Sequence, residues 1–330
     1  MPPATATGIG SWPGTSQAEA LAVVRGELAQ LPHLPELPAR GPGADILGRS
    51  AVRLVDLPVD LQPSGWRLVD RPGLDQSRAE AFWREDLDRL AHAFDGWDGP
   101  LKVQLAGPWT LAAGLRLLRG ERVVSDPGAV RDLVQSSAES ARRLVADVRR
   151  LVPGAQVVLQ VDEPSLPAVL AGRLTTSSGF GRLRAVAAPL VRDGLAEVLT
   201  AAHEAGAATV VHCCAGEVPL PLLRESGAQA VSVDVTLLDA QGWESVAATV
   251  EAGTSFWAGV VPTSGELPPT RALADLVAGR WRDVGLPAAG LAEVVVTPTC
   301  GLAGVSPAQA REALARAVEV ARELAERAEG

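Results

Sequence analysis

Tyrosine is absent from the 330 residues, methionine and lysine occur once each, and cysteine three times. Three thiols, two of them adjacent at Cys213 and Cys214, cannot build a disulfide framework. The number is odd, and vicinal cysteines bridge only with strain. Reduced thiols are expected, which points to the cytoplasm. No uncharged apolar run is long enough to span a bilayer, and Met1-Pro2-Pro3-Ala4-Thr5 lacks the basic and apolar blocks of a secretory leader. Positive charge is also short: 30 Lys+Arg against 39 Asp+Glu leaves a formal charge of −9. That balance argues against a nucleic acid or an anionic membrane as partner. Core-forming material is plentiful, with 47% hydrophobic and 21% charged residues. Such a chain buries a large interior, which excludes a disordered or collagen-like protein.

Short apolar runs alternate with longer stretches of helical spacing, the pattern of repeated βα units. The runs predict strands at Gly8–Trp12, Arg53–Asp56 or Trp66–Val69, Leu101–Ala106, Gln156–Val161, Thr209–Cys214, Ala230–Val235, Phe256–Val261 and Glu293–Thr297. Helices are predicted at Gln17–Gln30, Arg78–Ala93, Asp126–Leu151, Pro189–Ala205, Pro219–Ser226, Trp243–Ala252, Thr270–Val284 and Pro307–Arg327. Continuous runs such as Val157-Val158-Leu159-Gln160-Val161 suit parallel strands covered on both faces. The expected fold is therefore α/β, a (β/α)8 TIM barrel forming a single domain over 1–330. The Pro- and Gly-rich segments Leu31–Gly48 and Gly172–Ala188 read as loops that shape a site. Gly8-Ile9-Gly10 lacks the third glycine of a dinucleotide loop.

In such a barrel, reactive groups sit at the C-terminal ends of strands. Those ends carry Ile9-Gly10-Ser11, Ala106-Gly107-Pro108, Asp162-Glu163-Pro164, His212-Cys213-Cys214, Asp234 and Thr299-Cys300-Gly301. Alternation along a strand puts His212 and Cys214 on one face and Cys213 on the other, where it reads as a core thiol. Barrel closure would bring Cys300 round to the same mouth, with Asp234 placed to add an oxygen. One imidazole, two thiolates and a carboxylate suit zinc, and a replaceable fourth position would make the site catalytic. A strand-end Asp also serves as a helix cap, and Asp234 is open to that reading. Of the two neighbouring carboxylates, one is expected to face the mouth and hold a substrate ammonium, while the other anchors the barrel. His33, His92 and His203 read as solvated or capping residues.

The order of these motifs resembles the cobalamin-independent methionine synthases, in particular their C-terminal barrel. Ile9-Gly10-Ser11-Trp12-Pro13 looks like the family's I-G-S-F-P, and Ala106-Gly107-Pro108-Trp109-Thr110 like its T-G-P-V-T. Val161-Asp162-Glu163-Pro164-Ser165-Leu166 is similar to I-D-E-P-A-L, His212-Cys213-Cys214 to H-M-C, and Pro298-Thr299-Cys300-Gly301-Leu302 to P-D-C-G-L. The resemblance implies zinc on His212, Cys214, Cys300 and Asp234, the last standing where the family has Glu. It also implies homocysteine as the thiol, its carboxylate near Ile9 and Ser11 and its ammonium on Asp162, the expected substrate-binding and catalytic carboxylate. The methyl donor would be methyltetrahydrofolate or a methylated corrinoid protein. Two family features lack a counterpart: the H-G-E motif near Val55–Trp66, and the His of D-I-H-S, replaced by Pro262-Thr263-Ser264-Gly265. The full-length enzymes carry an additional N-terminal barrel, so the resemblance is to a short, core-type member. Other readings are a different thiol alkyltransferase, a uroporphyrinogen decarboxylase-like enzyme of the same superfamily, or a non-catalytic zinc- or thiol-binding protein.

Overall fold

A computed structural model describes residues 3–329. An antiparallel hairpin, β1 (Val59–Gln62) and β2 (Gly65–Leu68), precedes a parallel sheet of six strands. These are β3 (Pro100–Ala106), β4 (Gln156–Asp162), β5 (Ala208–Cys213), β6 (Ala230–Asp234), β7 (Ser255–Val261) and β8 (Val295–Pro298), adjacent in chain order. Helices connect and surround them: α1 (Gln17–Glu27), α2 (Ile46–Ala51), α3 (Leu74–Ala93), α4 (Pro108–Gly114), α5 (Pro127–Leu151), α6 (Leu166–Leu170), α7 (Ala188–Glu204), α8 (Leu220–Glu225), α9 (Ala240–Glu251), α10 (Thr270–Asp283) and α11 (Pro307–Glu329). Sequential parallel order requires a crossover between neighbours, which these helices supply. Among the described residues, no helix is long and apolar enough to cross a membrane.

Six regular strands curl through most of a ring, and two irregular segments complete it. Residues 5–7 hydrogen-bond to β8 through Thr7 N to Val296 O (3.1 Å) and Val296 N to Thr5 O (3.0 Å). Residues 10–12 pair with Glu36, whose N donates to Gly10 O at 3.0 Å while its O accepts from Trp12 N at 2.7 Å. Leu34 N then donates to Lys102 O, and Lys102 N to Pro32 O, both at 2.9 Å, which returns the ring to β3. The second stave of the barrel is thus 32–37, inside the segment expected to be a loop. Pro32, Pro35 and Pro38 each lack a donor, so the ladder is broken into isolated bridges. Neither predicted alternative holds this place: Trp66–Val69 contributes to β2 of the outlying hairpin, and Arg53–Asp56 forms no strand.

Side-chain alternation sorts the interior from the outer shell. Leu159 and Val161 of β4, Val211 of β5, Val231 and Val233 of β6, and Phe256 of β7 join the large cluster that packs under the helices. The opposite faces point inward, where Leu31, Val158, Val210, Ala230, Trp257 and Val295 form a separate apolar plug at the strand N-terminal end. Above this plug the inward positions turn polar: Lys102, Gln104, Gln160, His212, Ser232 and Thr297 are all buried. The shell helices follow their sequence signals. α5 starts at Asp126, whose carboxylate accepts from Gly128 N (2.8 Å) and Ala129 N (3.0 Å) ahead of Pro127. A cap of this kind contributes about 1 kcal/mol. Buried Leu133, Ala141, Leu144, Val145 and Val148 supply its inner stripe.

Candidate metal centre

Two pairs of motifs interlock to build the mouth. Glu163, at the end of β4, is fully buried and reaches the N-terminus of α4. Its carboxylate accepts from Trp109 N (3.0 Å), Thr110 N (2.7 Å) and Thr110 Oγ1 (2.8 Å). A side chain at Gly107 would fall on that carboxyl, and Pro108 needs no acceptor at the first helical turn. The expected anchoring carboxylate is therefore Glu163, acting as a cap supplied by the next strand. Burial pushes its carboxyl up to about 7 against the pull of the three donors. In the second pair, Gly301 lies against Ser11, where a Cβ would collide with the hydroxyl. Leu302 N donates to Ser11 O at 2.9 Å and Ala303 N to Ser11 Oγ at 3.4 Å. The first extended segment thus holds the loop that carries Cys300.

That loop completes a cluster. One donor atom each from His212, Cys214 and Cys300 lie within 4.8 Å of one another. His212 is buried, and its Nδ1 lies 3.1 Å from Ser232 Oγ on the neighbouring strand. Its Nε2 is buried without a hydrogen-bond partner among the described residues. The sulfurs of Cys214 and Cys300 are 2.9 Å apart. The hydrogen bond from Cys214 first, and His212 beside it, hold the Cys300 thiol below its ordinary value, while the same contact with Cys300 holds Cys214 up. Cys213 points the other way and is fully buried, its thiol pushed up to about 12 by burial. Asp234 is not among the three clustered donors. Its Oδ1 accepts from Thr236 N (2.9 Å) and Thr236 Oγ1 (2.6 Å), capping the turn that follows β6. The donor set itself fits zinc: two thiolates, an imidazole oriented through its other nitrogen, and an orphaned buried Nε2.

Beside the cluster lies a charged layer of which sequence reasoning singled out only Asp162. Lys102 Nζ donates to Ile9 O (2.7 Å) and Gln160 Oε1 (2.8 Å). Gln160 Nε2 donates to the same Ile9 carbonyl (2.8 Å) and to Asp162 Oδ1 (2.7 Å). Glu36, on the proline-rich stave, is buried and lies 3.5 Å from Arg49 Nε. Arg49 also pairs with Asp86 of α3, as does Arg40 at 2.8 Å. Burial raises the carboxyls of Asp162 and Glu36; for Asp162 the neighbouring Glu36 charge adds to the rise. Burial lowers Lys102, against the attraction of those same two carboxylates. His33, expected to be solvated or capping, is buried against Gly8 instead, its basicity lowered by burial and by Lys102. His92 and His203 are exposed, as expected. Two signals pointed to this layer: the single lysine of the chain falls inside a strand, and polar Gln104 and Gln160 interrupt apolar runs at inward positions. The loop Pro262–Gly265 lines a separate cavity of about 310 Å³ with Leu302, Val305 and Gln309.

Over residues 98–323 the chain matches the family described as Cobalamin-independent synthase, Catalytic domain. The chain belongs to this family. Membership assigns it methyl transfer of the methionine-synthase type. Among solved structures, a B12-independent methionine synthase from Shewanella sp. W3-18-1, in complex with selenomethionine, superposes with a TM-score of 0.64. Identity is 13%, and the match covers 98% of each chain, so the likeness is one of fold. A β-galactosidase from the psychrophilic Marinomonas ef1 reaches 0.49 at 12% identity, over 97% of this chain and 59% of that one. At that level of similarity it carries no argument. No curated protein matches the chain in sequence. Ile9, Ser11 and Glu36 all precede the region matched by the family.

Proposed function

We propose that this member of the family is a zinc-dependent methyltransferase that methylates the thiol of homocysteine to give methionine. The observation that carries the reading is the convergence of His212, Cys214 and Cys300 beside buried Asp162, which lies opposite His212 in the sheet register. His212, Cys214 and Cys300 would hold the ion, with Asp234 Oδ2 as the candidate fourth donor. When bound, zinc supplies Lewis acidity: it keeps the substrate sulfur deprotonated, where a free thiol of pKa about 8.5 is mostly protonated at neutral pH.

The residues of the chain then do the positioning. Ser232 fixes the His212 ring from its Nδ1 side, leaving Nε2 free as a donor. Asp162 and Glu36 offer anionic oxygens for the substrate ammonium. Glu36 stands on the second stave, outside the Val55–Trp66 stretch in which the family's H-G-E was sought. Lys102 and Gln160 hold the Ile9 carbonyl, which fixes the backbone from Ile9 to Ser11 expected to receive the substrate carboxylate. Selenomethionine, the selenium analogue of the product, is the ligand of the Shewanella synthase, which supports an amino-acid thioether site in this fold. A thiol without an ammonium gives Asp162 and Glu36 nothing to bind, and a decarboxylase has no use for the clustered sulfurs.

The test is single-turnover methylation of homocysteine by the zinc-loaded protein, offered methyltetrahydrofolate or a methylated corrinoid protein, with methionine detected by mass. Methionine from either donor supports the reading and identifies that donor. Zinc and homocysteine binding without methionine from either would make the chain a binding protein.

A further inference from the structure

Gln104 is buried on the inward face of β3, in register with Gln160 of β4. Its amide is held from three sides. Nε2 donates to Leu34 O (2.7 Å) on the second stave. Gly10 lies against the amide, so close that a Cβ there would stand 3.0 Å from Gln104 Cδ and Nε2. A hydrogen bond from the same amide to the Glu36 carboxyl works against the rise that burial imposes on that acid. The two N–H groups of Nε2 therefore go to Leu34 and Glu36. Turning the amide end for end would set Oε1 against the Leu34 carbonyl, acceptor facing acceptor. Oε1 is left buried with no partner among the described residues. An amide oxygen kept from water is unfavourable until some donor reaches it.

Chemistry narrows what that donor is. With its sulfur held as a thiolate and its carboxyl ionised, homocysteine carries hydrogen-bond donors on its ammonium alone, and there it has three. Asp162 and Glu36 answer two of them. An ammonium taken out of water with one N–H unanswered loses hydration that nothing replaces. Gln104 stands among the groups that would surround this nitrogen: it bonds Glu36, rests on Gly10 within the Ile9–Ser11 backbone, and neighbours Gln160, which donates to Asp162 Oδ1 at 2.7 Å. A neutral acceptor also suits the charges. Arg49 is matched by Asp86, which leaves Lys102 alone between Asp162 and Glu36, one cation against two carboxylates. A substrate ammonium brings that group to neutrality. A third carboxylate would leave a buried charge unanswered, whereas an amide oxygen accepts without adding one.

We propose, resting on homocysteine as the substrate, that Gln104 Oε1 accepts the third N–H of its ammonium and makes the site selective for a primary amine. Leu34 and Gly10 hold the amide in place before the substrate arrives, so the bond forms with little ordering cost. An amine carrying an N-alkyl group has only two N–H groups to offer and leaves Oε1 unanswered.

The experiment is calorimetric titration of the zinc-loaded full chain, wild type and Q104M, with homocysteine and with 4-mercaptobutyrate, the same thiol acid without its amine. Both ligands bring sulfur to the metal, so the difference between them reads the amine. Wild type is expected to prefer homocysteine. Q104M, of similar length, is expected to weaken homocysteine by about tenfold or more and 4-mercaptobutyrate by less than about threefold. Equal losses for the two ligands would make Gln104 a support of the second stave through Leu34 and overturn the proposal, as would an unchanged affinity for homocysteine. Should Q104M not fold, wild type and N-methylhomocysteine decide: binding about tenfold or more weaker than homocysteine is expected, and equal binding overturns the proposal. Wild type with no preference for homocysteine over 4-mercaptobutyrate would overturn the homocysteine reading itself, and the role of Gln104 with it.

Discussion

Glu163→Gln sets two effects against each other at one buried group. With its two oxygens Glu163 satisfies everything around it: Oε1 accepts from Trp109 N, and Oε2 accepts from Thr110 N and Thr110 Oγ1. Glutamine cannot do so, because its NH2 must face one of the two backbone N–H groups and leaves that donor without an acceptor. The cost is about 1–3 kcal/mol. Ionisation adds the second effect. Burial lifts the carboxyl from an ordinary 4.5 to about 7. An acid whose folded value lies above its unfolded one contributes stability below the unfolded value and loses it as pH rises through the folded value. At about 1.4 kcal/mol per decade, wild type loses roughly 3 kcal/mol between pH 4.5 and 7, whereas the variant does not. Urea unfolding of both proteins at pH 5, 6, 7 and 8 reads the difference. The variant should be less stable by about 1–3 kcal/mol at pH 5, with the gap closing or reversing by pH 8. A gap that stays constant or widens with pH would refute the reasoning, because it would mean that three donors outweigh burial and keep the carboxylate charged.

Asp162→Asn should weaken homocysteine by about tenfold or more while changing the affinity of a thiol without an ammonium much less; equal losses in a binding titration would remove Asp162 from the amine site. Lys102→Met leaves Asp162 and Glu36 as buried carboxylates without their shared cation, and should cost about 3–5 kcal/mol in chemical denaturation. A change under about 1 kcal/mol would mean that the lysine is neutral and dispensable. Gly301→Ala drives a methyl into Ser11 and moves the loop bearing Cys300. Competition with a chromogenic chelator should show zinc affinity reduced by about tenfold, and wild-type affinity would show that the loop yields without moving the sulfur.

Much of this architecture is legible in the residues, and its hidden part has a physical cause. Six strands and the long shell helices follow from apolar runs and from periodicity, because parallel strands buried on both faces must be apolar throughout. Stave 32–37 is different. Its prolines at 32 and 35 remove ladder donors, so a barrel element reads locally as a loop, and His33 and Glu36 are lost to view with it. α4, with seven residues, is too short for periodicity to register. The convergence of His212, Cys214 and Cys300 was readable from the order of strand ends and alternation. The opposite orientations of Asp162 and Glu163 were readable for the same reason, since neighbours on a strand face opposite ways. Asp234 was not decided by alternation, because a strand-end carboxylate serves a ligand sphere or a following turn equally well, and its Oδ1 serves the turn.

The central claim is that one zinc ion sits on His212, Cys214 and Cys300. Zinc content by elemental analysis, joined to X-ray absorption at the zinc edge, tests it on wild type and Cys300→Ser. The expected result is about one zinc per wild-type chain with two sulfurs and a nitrogen in its shell, and a folded Cys300→Ser protein that has lost the metal. Zinc retained by Cys300→Ser, or a wild-type shell without sulfur, would contradict it.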